Sequence, residues 1–475
     1  MKFTVIGHAG LFVEAGDTSL LVDPWLSGSC YWRSWWHDPP IGEPDPAWLA
    51  PRFVYLTHHH FDHFHYPSMR RIDRSTEVLV PRFGVDVMVD ELHELGFANV
   101  RELPHGHVVE LGDGLRAASY QYGFDDTALV VASGDDVVAN LNDCKIRGLP
   151  LRQIVSDFGR PTFMLKTHSW AQAYPNCYRA EDPADLGRLT PETYIADFVE
   201  IADQLRPRYA VPFANMVGFL HPESELLNDH LITPGDVADA FDRAGPADSE
   251  LVPMGPGDHW EAATGFSGPG VDPFTDRRDR LERRRREVAP LITRQDEIEE
   301  STDLEWDGFH SYFDQFVCDV PWFARRLVRQ PVVFEIPSAP ESPWWVVDAR
   351  RRRVFRSAEP PDDRASTVQV REGVLADAID KRIVHFLHVS MRIRVELRKG
   401  ATSSDLGFWA LMNVWEIGYL PLRRLARVRF AATLLRRWRE MVDVVRVLVR
   451  GRGSPIDRLS SGFATQDAVT PTTRQ

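Results

Sequence analysis

Residues 55–66 read YLTHHHFDHFHY, with histidines at 58, 59, 60, 63 and 65 and Asp62 among them. The apolar run FVYLT (53–57) leads straight into this cluster and reads as a strand. A sharp loop at its end can turn His58, His60, Asp62 and His63 into one cavity. Imidazole and carboxylate suit zinc, iron or manganese, and a set of this size exceeds what one ion needs. Two ions about 3.5–4 Å apart would use it, with His58 and His60 on one and Asp62 and His63 on the other. The plain alternative is a solvated histidine-rich loop. The spacing HxHxDH behind a buried-looking strand favours metal. His59 and His65 fall off the pattern and are expected to support the loop or face solvent.

Outward from this point, residues 1 to about 262 alternate short strands with turns and occasional helices. Strands are expected at KFTVIGH (2–8), SLLVDP (19–24), EVLVP (77–81), TALVVAS (127–133), DVVANLND (136–143) and YAVPFA (209–214). Helices are expected over 85–96 and 190–207, the latter opened by Thr190-Pro191. Strands outnumber helices, and the helices fall between strand groups. The expected class is α/β, an αββα sandwich rather than a doubly wound sheet. TGFSGPGVDPFTD (264–276) is rich in Gly and Pro and marks a boundary. The expected units are a metal-binding domain over 1–265, an α+β region over 275–450 and a loose tail over 451–475.

The 475 residues exceed one ordinary core, which agrees with two units. Hydrophobic residues make up 43% and charged residues 26%, the profile of a globular chain. The net charge of −14 argues against a nucleic-acid partner. No apolar run has the roughly 18–20 residues of a membrane span. The strand-like start leaves no room for a signal peptide. Cys30, Cys144, Cys177 and Cys318 are scattered without a CxxC pair, so a reducing cytoplasm is the expected compartment.

The HxHxDH motif behind a strand resembles that of the metallo-β-lactamase superfamily. The resemblance implies three further residues. Asp23, ending SLLVD, would brace the metal loop without binding metal. Asp143, ending DVVANLND, would bridge the two ions. His221, in NMVGFLHPE, would be the last ligand. The superfamily also places a histidine ahead of the strand pair leading to the bridging aspartate, and AASYQYGFDDTALVV has none. Gln121 stands nearest that slot as a substitute ligand, with Tyr122 beside it as a candidate catalytic residue. Asp125 or Asp126 could also compensate. His105 and His107 sit a strand too early and read as turn residues.

Four stretches narrow the resemblance: DPWLSGSCYWRSWWHDPP (23–40), HFDHFHYPSMRRI (60–72), NLNDC (140–144) and LRPRYAVPFANMVGFLHPE (205–223). They look like the CMP-N-acetylneuraminic acid hydroxylase family, in which such a domain is joined to a Rieske iron–sulfur domain. No cysteine here stands in the paired Cys/His arrangement of a Rieske centre, so that domain is not expected in this chain.

Other features are weighed the same way. His168, within SDFGRPTFMLKTHSWAQAYPNCY (156–178), is a candidate catalytic residue, and packing is an equal alternative. His259 reads as a turn residue. The costly aromatics of YWRSWWHDPP are expected over the mouth of the metal cavity or in an interdomain contact. Residues 421–449 space Leu422, Leu425, Val428, Leu435, Trp438, Val442, Val445 and Leu448 as an amphipathic helix. Docking on its own chain or pairing in a homodimer is expected before membrane contact.

The expected function is therefore a dinuclear metalloenzyme acting on a small molecule. The favoured form is a di-iron oxygenase for a small or nucleotide-sugar-like substrate, fed by an external electron donor. The alternative is a zinc or manganese hydrolase of an ester, amide or phosphodiester, in which Asp62 orients the nucleophile. A non-catalytic, metal-stabilised scaffold is the third. No haem or nucleotide cofactor is expected.

Overall fold

A computed structural model describes residues 1–170, 172–187, 189–269, 274–426, 428–440 and 442. Two sheets face each other in the first half of the chain. One runs Gly265–Ser267, His259–Glu261, Lys2–Gly7, Gly10–Ala15, Thr18–Val22, Phe53–Tyr55, Glu77–Pro81, Val100–Leu103. The other runs Glu250–Leu251, Tyr209–Pro212, Phe163–Lys166, Asp136–Asn142, Asp126–Ser133, Leu115–Tyr122, Val109–Gly112.

Strand periodicity explains the layers. In Asp126–Ser133, Leu129 and Val131 point into the core between the sheets, while Val130 and Ala132 point outward. Both faces of these strands are thus apolar, as sheets covered on both sides require. Helices Gly148–Phe158, Pro191–Leu205 and Pro234–Ala244 cover the outer face of the second sheet through Leu151, Ile154, Phe198, Ile201, Val237 and Phe241. Helix Val87–Glu94 covers the first through Met88 and Leu92. The result is the expected αββα sandwich.

A second body carries a six-stranded sheet: Tyr178–Ala180, Arg394–Leu397, Ser366–Gln369, Val332–Glu335, Trp344–Asp348, Arg353–Ser357. Its edge strand Tyr178–Ala180 comes from sequence ahead of the expected boundary at 264–276. The parallel pairing with Arg394–Leu397 draws it across, with the Tyr178 hydroxyl donating to buried Asp405 at 2.7 Å. The long helix Arg277–Glu300 has few apolar residues and docks through charge: Arg277 and Arg280 on Asp38, and Glu299 on Arg392.

The aromatic run makes a contact between the two bodies. Tyr31 and Trp35 are buried in one continuous core with Phe309, Phe334, Phe386 and Trp415 of the second body. Tyr31 also reaches the histidine loop. Helix Val428–Arg436 docks through Arg429 on Asp86 and Glu102, while Val428 and Leu435 stand exposed. The remainder of the expected amphipathic helix, with Val445 and Leu448, and the tail over 451–475 lie outside the described residues. No helix among the described residues is long and apolar enough to cross a membrane.

Candidate metal centre

The histidine loop begins where strand Phe53–Tyr55 leaves the sheet. Leu56 still hydrogen-bonds to Leu79, and the Thr57 N–H donates to Asp23 Oδ1 at 2.8 Å. The chain then turns, with the N–H groups of His63 and Phe64 both donating to the His60 carbonyl. This turn points alternate side chains inward. His58 Nε2 and His60 Nδ1 lie 2.9 Å apart, both facing Asp143.

Asp143 arrives from the opposite sheet, one residue past strand Asp136–Asn142. Asn142 adopts φ 36°, and its side-chain oxygen accepts the Asp143 N–H, which fixes the turn. The two oxygens of Asp143 face two different groups. Oδ2 lies 3.7 Å from His58 Nε2, and Oδ1 lies 3.6 Å from His63 Nε2.

Two sets of ligand atoms result: His58, His60 and Asp143, and beside them His8, Asp62 and His63. Within each set every atom lies within 4.8 Å of the others. His8 has no counterpart in the sequence reading. It follows the first strand, at φ 44°, and its Nε2 is 2.8 Å from Asp62 Oδ2. The only sequence signal was a polar residue closing an apolar strand between Gly7 and Gly10.

Asp23 lies where the loop needs a brace. Its Oδ2 is 2.9 Å from His63 Nδ1, and the Thr57 hydroxyl donates to it at 2.7 Å. Holding Nδ1 leaves Nε2 free to face the centre. Tyr31 supplies a further donor, its hydroxyl 2.5 Å from Asp62 Oδ1. Asp126 Oδ1 stands 3.8 Å from His58 Nδ1, on the ring edge turned away from the centre. Asp126 thus flanks His58 outside both ligand sets.

Electrostatics favour a cation. Burial alone would raise the pKa of Asp62, yet His63 and His8 outweigh it and hold the carboxyl well below its ordinary range. Burial lowers the pKa of His63, but Asp143, Asp62 and Asp23 together raise it well above. Burial and neighbouring His58 push His60 well below, so its ring is neutral with a lone pair to give. Burial beside Asp143 and Asp125 raises Asp126 well above the carboxylate range. His63 Nε2 and Asp143 Oδ1 are buried without any hydrogen-bond partner. Such atoms are costly to bury unless something positive completes them. The donor set therefore fits two divalent ions.

The other sequence candidates lie elsewhere. His221 is a correction: it belongs to neither ligand set, and its Nε2 is 3.2 Å from Asp296 on helix Arg277–Glu300. Strand Val217–Phe219 pairs with Trp35–His37 in a separate small sheet, which carries His221 toward that helix. Gln121 has its side-chain oxygen buried without a hydrogen-bond partner. Its amide donates to the Arg82 carbonyl and its N–H donates to His105. Tyr122 pairs across the hairpin with Asp126, outside both sets. His168 lines a small cavity with Asp38, Asn215 and Arg277, and burial lowers its pKa to about 4. His59 is paired with Glu91 at 2.7 Å, and His65 with Ser68.

A protein of Mycobacterium tuberculosis whose name calls it a Rieske 2Fe-2S iron–sulfur protein is 30% identical over 253 residues, covering 50% of this chain and 48% of its own. The cytidine monophosphate-N-acetylneuraminic acid hydroxylase of Danio rerio is 24% identical over 261 residues, covering 48% and 40%. The chain thus spans about half the length of the curated relatives it matches or less. Among solved structures, an isothiocyanate hydrolase from Delia radicum gut bacteria aligns with 55% of this chain and 99% of its own, at 17% identity and a TM-score of 0.40. The di-iron β-hydroxylase CmlA from Streptomyces venezuelae aligns with 53% of each chain at 17% identity and a TM-score of 0.36. Residues 2–153 match the family described as the beta-lactamase superfamily domain. Over those residues the chain is similar to the β-lactamase superfamily domain, and about half of it is similar to the cytidine monophosphate-N-acetylneuraminic acid hydroxylases.

Proposed function

We propose that this chain is a dinuclear metalloenzyme, a non-haem di-iron oxygenase that hydroxylates a small molecule. One observation carries the reading: each ligand set joins two imidazoles to carboxylate, His58 and His60 with Asp143, and His8 and His63 with Asp62. Two histidines, one carboxylate and open positions are the pattern of non-haem Fe(II) oxygenases, and catalytic zinc also takes such a set, so the similarity to a hydroxylase is what turns the reading toward iron. Fe(II) held there would supply the redox chemistry for O2-dependent hydroxylation, with electrons from an external donor. The similarity to a hydroxylase of a nucleotide sugar supports a small, oxygen-rich substrate of that kind.

The chain's own residues account for the rest. Asp143 ties the two sets together. Asp23 and Tyr31 fix the orientation of His63 and Asp62. Phe386 packs edge-on against His60 with ring centroids 5.9 Å apart and against Tyr31 at 5.5 Å. A zinc or manganese hydrolase would use the same pocket, with Asp62 orienting the nucleophile.

One experiment separates the two. Protein purified without added metal or chelator is analysed for its elements, then loaded anaerobically with Fe(II) and followed for O2 uptake. Iron with O2 consumption by the reduced protein supports the oxygenase. Zinc or manganese with no O2 uptake overturns it in favour of the hydrolase.

A further inference from the structure

The second body places a histidine beside the metal centre that the centre itself does not use. His385 is 5% exposed, and its Nε2 is buried with no hydrogen-bond partner. Its other nitrogen, Nδ1, lies 2.5 Å from Glu416 Oε2. Glu416 is itself fixed: it accepts the backbone N–H groups of Val384 and His385 at 2.8 and 2.7 Å, and the Tyr312 hydroxyl donates to it. A carboxylate gripping Nδ1 fixes both tautomer and ring orientation and leaves Nε2 as the working atom.

The neighbours of His385 show which way it lies. Its ring is 4.2 Å from that of Phe386, and the Phe386 ring lies against His59, His60 and Tyr31. The ring therefore lies next to the residue that packs against the histidine loop. It is in neither ligand set, so neither of its nitrogens lies within 4.8 Å of every ligand atom of a set. Two ligands of one ion at about 2.1 Å are at most about 4.2 Å apart. Nε2 is thus an unpartnered polar atom that is no ligand of either set.

We propose that His385, oriented by Glu416, is a substrate-contacting residue: its Nε2 hydrogen-bonds the oxygen- or nitrogen-bearing group that enters the open side of the His58–His60–Asp143 site. The reaction cleft is then completed by the second body. This inference rests on the dinuclear reading above and deepens it.

The test uses azide, a small anion that takes open metal positions, on the full-length protein loaded with Co(II) and followed by its visible spectrum. His385→Ala is expected to keep the wild-type Co(II) stoichiometry and affinity while weakening azide binding roughly 10-fold, the loss of one hydrogen bond to a charged group. His385→Gln, which retains a donor, is expected to recover part of that loss. A purely structural His385 would leave the azide affinity unmoved, and that result overturns the proposal. So does a lost Co(II) equivalent in His385→Ala, which would make the residue a ligand, or a wild-type protein that holds Co(II) and ignores azide. Protein that binds no Co(II) overturns the dinuclear reading and this inference with it, and the metal stoichiometry tells that failure from a failure of His385 alone.

Discussion

His8 and Asp62 stand 54 residues apart in the chain, yet His8 Nε2 and Asp62 Oδ2 meet at 2.8 Å. One closes the first strand of the sandwich and the other sits in the histidine loop. Removing the imidazole leaves the second ligand set with one histidine. His8→Ala is expected to reduce Co(II) binding from two equivalents to one in a competitive titration, with the first equivalent unchanged. Two equivalents of unaltered affinity would make His8 a hydrogen-bond partner of Asp62 and no ligand.

Asp23 acts one step back from the centre. Its carboxylate grips both His63 Nδ1 and the Thr57 N–H, so Asp23→Asn loosens the loop at two points. Loss of such an outer partner typically costs 10–100-fold in metal affinity. The expected result is a drop of that size for the tighter-binding divalent ion, read with a fluorescent chelator. Unchanged affinity would relegate Asp23 to packing.

The ease of reading this centre from sequence follows chain distance. His58, His60, Asp62 and His63 come from one loop, so their spacing announced their convergence. Asp23 and Asp143 were legible because each ends an apolar strand on the family pattern. His8 has no local signature, since its partner is set by how two sheets close on each other. His221 misled because a histidine beside Pro222 can leave its strand in either direction, and the pull of Asp296 on a helix 75 residues later is invisible in sequence. His385 is one of two histidines in RIVHFLH, and only tertiary packing brings it near the loop. The sandwich itself was plain from strand periodicity. The strand Tyr178–Ala180 was not, because three residues carry no period and their partner lies far downstream.

Burial of charge where the two bodies meet supplies a third prediction. The Arg392 side chain is fully enclosed, with its guanidinium on Glu299 through two hydrogen bonds and on Glu223 at 2.9 Å. Arg392→Met removes the cation and strands Glu299 in the interior. Breaking such a buried pair from one side costs about 3–5 kcal/mol. Urea unfolding should show a loss of that order, and a variant of wild-type stability would show that Arg371 alone satisfies Glu299.

Asp405 gives a prediction in pH. Burial raises its pKa from 3.8 to about 6, against the hydroxyls of Ser366 and Tyr178, which donate to it and lower it. A carboxyl raised on folding holds its proton longer in the native state, so its contribution to stability is largest below the unfolded value and falls as pH rises from about 4 to 6. Asp405→Asn lacks this titration. Relative to wild type, the variant should gain steadily across that window, by on the order of 1–3 kcal/mol, and level off above it. A difference that does not change with pH would show that Asp405 stays ionised throughout.

The strand Tyr178–Ala180 has a last consequence. The sandwich gives an edge strand to the neighbouring sheet and then returns to finish its own with Tyr209–Pro212 and Glu250–Leu251. No single cut in the polypeptide separates the two bodies cleanly. A fragment ending near residue 265 would take the edge strand away from Arg394–Leu397 and leave that sheet open to pairing with other chains. The halves are interlocked, and a gene that lost one could not simply keep the other.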